Sequence, residues 1–167
     1  TRAWGEGGYY SRIFLNVQGR EPLGQVSLGD YESLRDELIQ SLEAMNDEEG
    51  HTLGTRVFKP AAIYRECRNI PPDLIVYFGD LNWRSLGSIG TNALYHYRND
   101  TGPDDANHSQ YGLYILSRPS PGRTSPLSAG KRIDRNILDV TPTILELFGI
   151  PAPAEYCGGS FAHHIQA

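Results

Sequence analysis

Apolar residues in this chain occur in short runs separated by glycine, proline and polar residues. Positions 12–17 alternate between apolar and polar side chains, which is typical of a half-buried strand. Residues 73–78 form a nearly continuous apolar run, of the kind found in strands that are covered on both faces. Residues 113–116 form a similar run, and a shorter strand is expected around Val57 and Phe58. The pattern predicts that 73–78 and 113–116 are interior strands of one sheet.

Two segments have the spacing of amphipathic helices. Between residues 31 and 45, apolar side chains recur every three or four positions, and Asp30 stands where a helix N-cap is expected. The second helix is predicted over residues 142–148, because Thr141 can cap it and Gly149 can end it. Both helices are expected to pack on the sheet.

The alternation of strands and helices favours an α/β fold with a mixed or mostly parallel sheet and flanking helices. With 167 residues, the chain has the length of one domain, and none of its internal segments has the composition of a linker. Residues 1–167 are therefore expected to belong to a single domain. The 18 glycines and 11 prolines predict abundant loops, among them a long one over residues 119–130, but not disorder.

The charge balance argues against two classes of partner. The formal net charge is −5 and Lys and Arg form no cluster, so the sequence indicates neither a nucleic-acid polymer nor a membrane surface as partner. Because no apolar run reaches the length of about 18 residues that a membrane span needs, the chain is expected to be soluble. Its compartment stays open, with the cytoplasm favoured. The first residues form no signal peptide and lack a starting Met, so we expect a longer polypeptide.

The usual catalytic signatures do not occur in this sequence. It contains no nucleophile elbow, no Walker loop, no His-Glu-x-x-His helix and no dinucleotide fingerprint. The glycine-rich segment 5–8 opens no predicted helix, so we interpret it as a tight connection rather than a phosphate cradle. Cys67 and Cys157 lie far apart and outside any Cys-x-x-Cys spacing, which favours two free thiols over one disulfide.

The best candidate for chemistry is His108, which ends the segment 104–108 (DDANH). It lies on a predicted loop just before the predicted strand 113–116, and such a loop can hold an imidazole rigidly while carboxylates orient it or share a cation. Asp104 and Asp105 are the candidate orienting groups. On the residues alone, a metal ligand and an ordinary hydrogen-bonded loop histidine are both open interpretations.

Three parts of the sequence resemble a known family. Residues 139–151 (DVTPTILELFGIP), followed by 158–161 (GGSF), resemble the C-terminal signature of the alkaline phosphatase superfamily. The nearest branch is the type I phosphodiesterase/nucleotide pyrophosphatase-like group of predicted phosphohydrolases. Residues 8–24 are similar to a strand and turn of that branch, and 72–76 (PDLIV) to a later core strand. The likeness extends over nearly the whole chain, which corresponds to the C-terminal part of the family's domain.

The resemblance implies a metal-dependent phosphodiesterase or phosphohydrolase. Enzymes of this kind hydrolyse phosphate esters with two divalent metal ions, here expected to be zinc, spaced by about 4 Å. They also use a Ser or Thr nucleophile that becomes phosphorylated. In the family, the nucleophile and most metal ligands lie upstream of the part that this chain resembles. His108 matches the late family histidine that ligates one metal, and the resemblance assigns no catalytic and no cofactor-binding residue to this chain.

The resemblance also implies what the chain needs from outside. The expected partners are the upstream part of the same polypeptide and a small phosphate-ester substrate. By itself the chain is expected to be inactive and to bind no metal, with His108 on a partly exposed loop. The alternative function is a non-catalytic binding or structural α/β module.

Overall fold

The structure is a computed structural model that describes residues 1–88, 90, 92–98, 102, 106–116 and 133–164. The chain forms two compact units, Thr1–Gly112 and Leu113–Ala167. The first unit holds a sheet and the longest helix, and the second holds a short helix with adjoining turns. That residues 1–167 belong to one domain stays a prediction.

The sheet of the first unit has four strands in the order β1-β2-β4-β3. The strands are β1 (Ala3–Glu6), β2 (Ser11–Leu15), β3 (Arg56–Phe58) and β4 (Leu74–Tyr77). Together with the helices they confirm a small mixed α/β fold. All three strand pairings are antiparallel, so the predicted mixed or mostly parallel sheet is not confirmed. The connection between β1 and β2 is far shorter than the dozen or so residues that a parallel crossover needs.

β4 is the interior strand predicted over residues 73–78. It pairs with β2 on one side and with β3 on the other. The side chains of Leu74, Ile75 and Val76 are all buried, whichever face of the sheet they point to. Because both faces of β4 are covered, its sequence is continuously apolar and does not alternate.

β1 lies in a glycine-rich, aromatic segment where the sequence pattern predicts no strand. It pairs with β2 so that Trp4 stands opposite Phe14. The two rings stack with their centroids 5.6 Å apart. This cross-strand aromatic contact supplies stabilisation that glycine-rich backbone does not provide by itself.

Two helices belong to the first unit. α1 (Tyr31–Glu43) confirms the helix predicted from the spacing of apolar residues. Asp30 precedes it, but its side chain makes no capping hydrogen bond and instead accepts one from Ser27 Oγ at 2.7 Å. α2 (Pro60–Ile63) is a single short turn after β3. The buried core next to α1 is formed by Leu15, Val17, Val26 and Leu34.

α3 (Val140–Leu147) is the helix of the second unit, and it confirms the helix predicted over residues 142–148. A 3-10 turn over Ile137–Asp139 precedes it, so helical structure begins earlier than expected. The N-terminal cap is formed by Asn136, whose Oδ1 accepts a hydrogen bond from the Leu138 N–H at 3.0 Å. The predicted cap at Thr141 is wrong, because that residue lies inside the helix.

The strand predicted over residues 113–116 is wrong. These residues form no regular secondary structure, and Leu113 and Ile115 are 90 % and 81 % exposed. An apolar run favours burial, but it becomes a strand only where another strand offers backbone hydrogen bonds. No strand within the described residues pairs with this segment.

Three further expectations concern loops, cysteines and membranes. The long loop predicted over residues 119–130 lies outside the described residues. Cys67 and Cys157 are both exposed free thiols. Among the helices that the described residues form, none is both long and apolar enough to cross a membrane.

Candidate functional site

The carboxyl end of β4 leads into a turn with an unusual backbone. Gly79, Asp80 and Leu81 have φ angles of 57°, 50° and 73°, so three consecutive residues adopt the left-handed region. Glycine adopts this region without a steric penalty, whereas Asp80 and Leu81 must be held there by their surroundings. Asn82 contributes by donating a hydrogen bond from Nδ2 to the Gly79 carbonyl at 2.7 Å. Strained backbone of this kind clusters at functional sites, which makes this end of β4 a candidate.

The loop that carries His108 is attached to this turn. Asn107 donates a hydrogen bond from Nδ2 to the carbonyl of Leu81. The backbone N–H of His108 in turn donates to Asn107 Oδ1 at 2.9 Å. His108 is exposed on its loop, in agreement with the expectation from the sequence. This loop is attached to the turn that follows β4, and not to a following strand at 113–116 as the sequence predicts.

The imidazole of His108 stacks on the ring of Tyr9. The two ring centroids are 4.0 Å apart and the planes differ by 13°. The guanidinium carbon of Arg84 lies 5.6 Å from the centroid of the same Tyr9 ring, within the range of a cation–π interaction. Three segments that are distant in the sequence therefore bring His108, Tyr9 and Arg84 together.

A short backbone ladder holds the segments of Tyr9 and Arg84 side by side. The Gly8 N–H donates to the Ser85 carbonyl at 2.9 Å, and the Ser85 N–H donates to the Gly8 carbonyl at 3.0 Å. Next to this ladder, a Cβ atom on Gly7 would lie only 2.5 Å from the backbone nitrogen of Gly87. Gly7 therefore allows two stretches of backbone to approach closely, whereas residues 5 and 6 of the segment belong to β1 and not to a connection.

Sequence reasoning found His108 but missed Tyr9 and Arg84. Neither lies in a motif of recognised chemistry, and the pairing of Gly8 with Ser85 brings together the segments that carry them. Tyr9 contacts His108, and Arg84 contacts Tyr9. The one local signal is the pair of glycines before Tyr9, since glycine marks places where backbone approaches closely.

Only one of the predicted metal-site residues can be described. Within the described residues, there is no group of three or more His, Cys, Asp or Glu side chains able to hold a metal ion. Asp104 and Asp105, the predicted orienting carboxylates, lie outside those residues. Of the predicted metal-site residues, His108 is the one that lies among the described residues, and its role as a metal ligand stays a prediction.

A second polar cluster lies at the other end of β4, around Asp73. This carboxylate is 3 % exposed. Its hydrogen-bond donors are Arg20 Nη1 at 2.8 Å, Arg20 Nη2 at 2.7 Å, the Leu15 N–H at 2.6 Å and the Tyr31 hydroxyl at 2.5 Å. Burial by itself would raise the pKa of Asp73, but the hydrogen bonds, led by those from Arg20, hold it below its usual value.

The Asp73 cluster has the properties of a structural ion pair. The hydrogen bonds to Asp73 raise the already high pKa of Arg20, so both partners stay charged at neutral pH. Burial raises the pKa of Tyr31, and its hydrogen bond to Asp73 raises it further, so the phenol stays protonated as a donor. Because the carboxylate oxygens are already occupied by protein donors, we interpret this cluster as a brace between β2, α1 and β4 and not as a catalytic group.

Replacing Tyr9 by leucine is expected to release the His108 ring. The ring current of Tyr9 shifts the NMR signals of the imidazole protons, so Tyr9→Leu should move them toward the positions of a free histidine, whereas Tyr9→Phe should leave them in place. The lost ring contact is also expected to lower the free energy of unfolding by about 0.5–1.5 kcal/mol. Tyr10→Leu is the matched control, because Tyr10 contacts Tyr77. Unchanged His108 signals in Tyr9→Leu would contradict the stack.

Comparison with known proteins gives no further assignment. The chain matches no model of a protein family, no curated protein and no solved structure. The case for a function therefore rests on the resemblance of its motifs and on the surroundings of His108.

Proposed function

We propose that this chain is the C-terminal part of a metal-dependent phosphodiesterase or phosphohydrolase of the alkaline phosphatase superfamily, in its type I phosphodiesterase/nucleotide pyrophosphatase-like branch. The observation that carries the proposal is the setting of His108. Its imidazole is exposed, stacks on Tyr9 at 4.0 Å, and belongs to a loop that Asn107 attaches to the turn after the interior strand β4. A metal ligand needs an imidazole that is accessible and held in one orientation, and this setting supports both.

In the proposed enzyme, His108 binds one of two divalent metal ions, expected to be zinc. Two such ions stabilise the attacking and leaving oxygens of a phosphate ester during displacement. The Ser or Thr nucleophile and the remaining metal ligands are assigned to the upstream part of the polypeptide. His108 contributes an imidazole whose orientation is set before metal binds, which reduces the entropy lost on binding.

Exposed apolar residues in the second unit support the upstream part of the polypeptide as a partner. Residues 113–116 are apolar and exposed, and so are Ile144, Leu147 and Phe148 at the end of α3. Contiguous apolar patches on a surface are typical of sites that another part of a protein covers. In the proposal, the upstream part of the polypeptide covers them and offers a strand that pairs with 113–116.

The alternative function is a non-catalytic binding or structural module. The sequence upstream of this chain distinguishes the two functions. A Ser or Thr nucleophile beside metal-binding Asp residues, followed by an Asp-His pair, would support the enzyme. An unrelated upstream domain would support the module.

Residues 1–167 alone are expected to show no substantial phosphodiesterase turnover. A site that lacks the nucleophile and most ligands can neither hold both ions nor activate an attacking group. The measurement is hydrolysis of an aryl phosphodiester with added zinc or manganese. Robust turnover that survives repurification and disappears in His108→Ala would contradict the proposal, because this chain would then contain a complete active site.

A further inference from the structure

Arg56 connects the loop of His108 with the left-handed turn after β4. It is the first residue of β3, and its Nη1 donates to Gln110 Oε1 at 3.1 Å and to Asp80 Oδ1 at 3.4 Å. Its guanidinium carbon also lies 5.2 Å from the centroid of the Phe58 ring, a contact that restricts the orientation of the guanidinium. A single side chain from a neighbouring strand therefore contacts both the turn and the loop.

The loop has a second attachment to the same turn. Asn107, on the other side of His108, donates to the carbonyl of Leu81. The residues that flank His108 are thus fastened at both ends, Asn107 to the backbone of the turn and Gln110 through Arg56 to Asp80. One attachment would let the loop pivot, whereas two attachments on opposite sides of His108 restrict that rotation.

Asp80 has a backbone conformation that few residues other than glycine adopt. A residue other than glycine in the left-handed region costs about 1–2 kcal/mol, and Asp80 has a φ of 50°. Glycine would adopt this conformation without that penalty, and aspartate is one of the few other residue types enriched in it. What the aspartate adds is a carboxylate that accepts a hydrogen bond from Arg56.

We propose that Arg56 and Asp80 are positioning residues for His108, because the bridge Asp80–Arg56–Gln110 and the Asn107–Leu81 hydrogen bond together hold the imidazole against Tyr9. A metal ligand must be held within about 0.5 Å of its productive position. That the restraint prepares His108 for a metal ion rests on the proposed function. The restraint itself can be measured in this chain without metal.

The restraint is tested by NMR of the His108 ring protons and by thermal unfolding of the same samples. Asp80→Gly removes the carboxylate and relieves the strained backbone, so we expect unchanged or higher stability together with His108 signals that move toward those of Tyr9→Leu. Arg56→Gln should move the signals in the same direction. Arg12→Gln is the matched control, because Arg12 lies in β2, is similarly exposed and pairs with Glu6. If Asp80→Gly fails to fold, Asp80→Asn replaces it, since asparagine tolerates the left-handed region; its amide oxygen still accepts from Arg56 but without the charge, so the signals should move in the same direction by a smaller amount.

The outcomes separate this proposal from the proposed function. His108 signals that stay unchanged in both Asp80→Gly and Arg56→Gln would overturn the positioning role. If the signals move and the polypeptide with its upstream part retains about 10-fold less zinc in Asp80→Gly, both proposals are supported. If the signals move but that polypeptide binds no zinc even as wild type, the positioning role stands and the proposed function is overturned.

Discussion

Replacing Asp73 by alanine is expected to lower the free energy of unfolding by about 2–3 kcal/mol, less than for a fully buried ion pair because the Arg20 side chain is 37 % exposed. The change leaves the guanidinium of Arg20 without its buried partner and the N–H of Leu15 without an acceptor. The Leu15 N–H is buried, so its lost hydrogen bond is not replaced by water, whereas Arg20 is partly hydrated and keeps its hydrogen bond to Glu21. Because a typical domain is stable by only about 5–15 kcal/mol, this single substitution should remove a substantial part of the stability of the first unit.

Denaturant unfolding of wild type and variants measures this loss. Glu66→Ala is the matched control, since Glu66 and Arg68 pair at 2.9 Å but both side chains are largely exposed, and its effect should stay within about 1 kcal/mol. Asp73→Asn retains the shape of the side chain but removes its charge, and its effect should lie between the two. A loss below 1 kcal/mol for Asp73→Ala would show that the cluster does not brace the fold.

The same cluster gives wild type a characteristic response to acid. Since the folded protein holds the pKa of Asp73 below its unfolded value of about 3.9, the stabilisation is fully present above that pH. It is lost as the pH falls through the lower pKa of the folded state, because the unfolded chain binds the proton more tightly. The free energy of unfolding of wild type should therefore exceed that of Asp73→Asn above about pH 4, and this difference should shrink as the pH falls below that value. An advantage that is constant with pH would contradict this assignment.

Local sequence pattern was sufficient for the elements that depend on burial. β4 is apolar at every position because both of its faces are covered, and α1 repeats its apolar residues at the period of a helix. β1 could not be predicted in this way, because it is held by the stack of Trp4 on Phe14, a contact across two strands.

The pattern of apolar residues does not predict structure that depends on which strands pair. An apolar run indicates that a segment is to be buried, but it specifies neither the partner strand nor the direction of pairing. For this reason residues 113–116 were predicted as a strand and yet form none, and the antiparallel order of the sheet was not foreseen.

The candidate site was predictable only in part for the same reason. His108 could be singled out because acidic and amide residues surround it in the sequence. Tyr9 contacts it from another segment, Arg84 contacts Tyr9, and Arg56 contacts Gln110 in the same loop. No spacing along the chain encodes contacts of this kind.

In a polypeptide that includes the upstream part, replacing His108 by alanine is expected to weaken zinc retention by about 10- to 100-fold or more. Losses of about this size are found even for groups that only orient a metal ligand. An alanine leaves one coordination position of the metal without its imidazole, and no other described histidine stacks on Tyr9 in its place. His51→Ala is the matched control, because His51 is an exposed histidine beside Asp47 that the proposal leaves outside the site. Its zinc retention should equal that of wild type.

The metal content of this longer polypeptide, measured by elemental analysis after dialysis, tests the central claim most directly. Wild type and His51→Ala should each retain about two zinc ions per chain, and His108→Ala should lose at least one of them. Equal zinc content in wild type and His108→Ala would remove His108 from the metal site and contradict the proposed function.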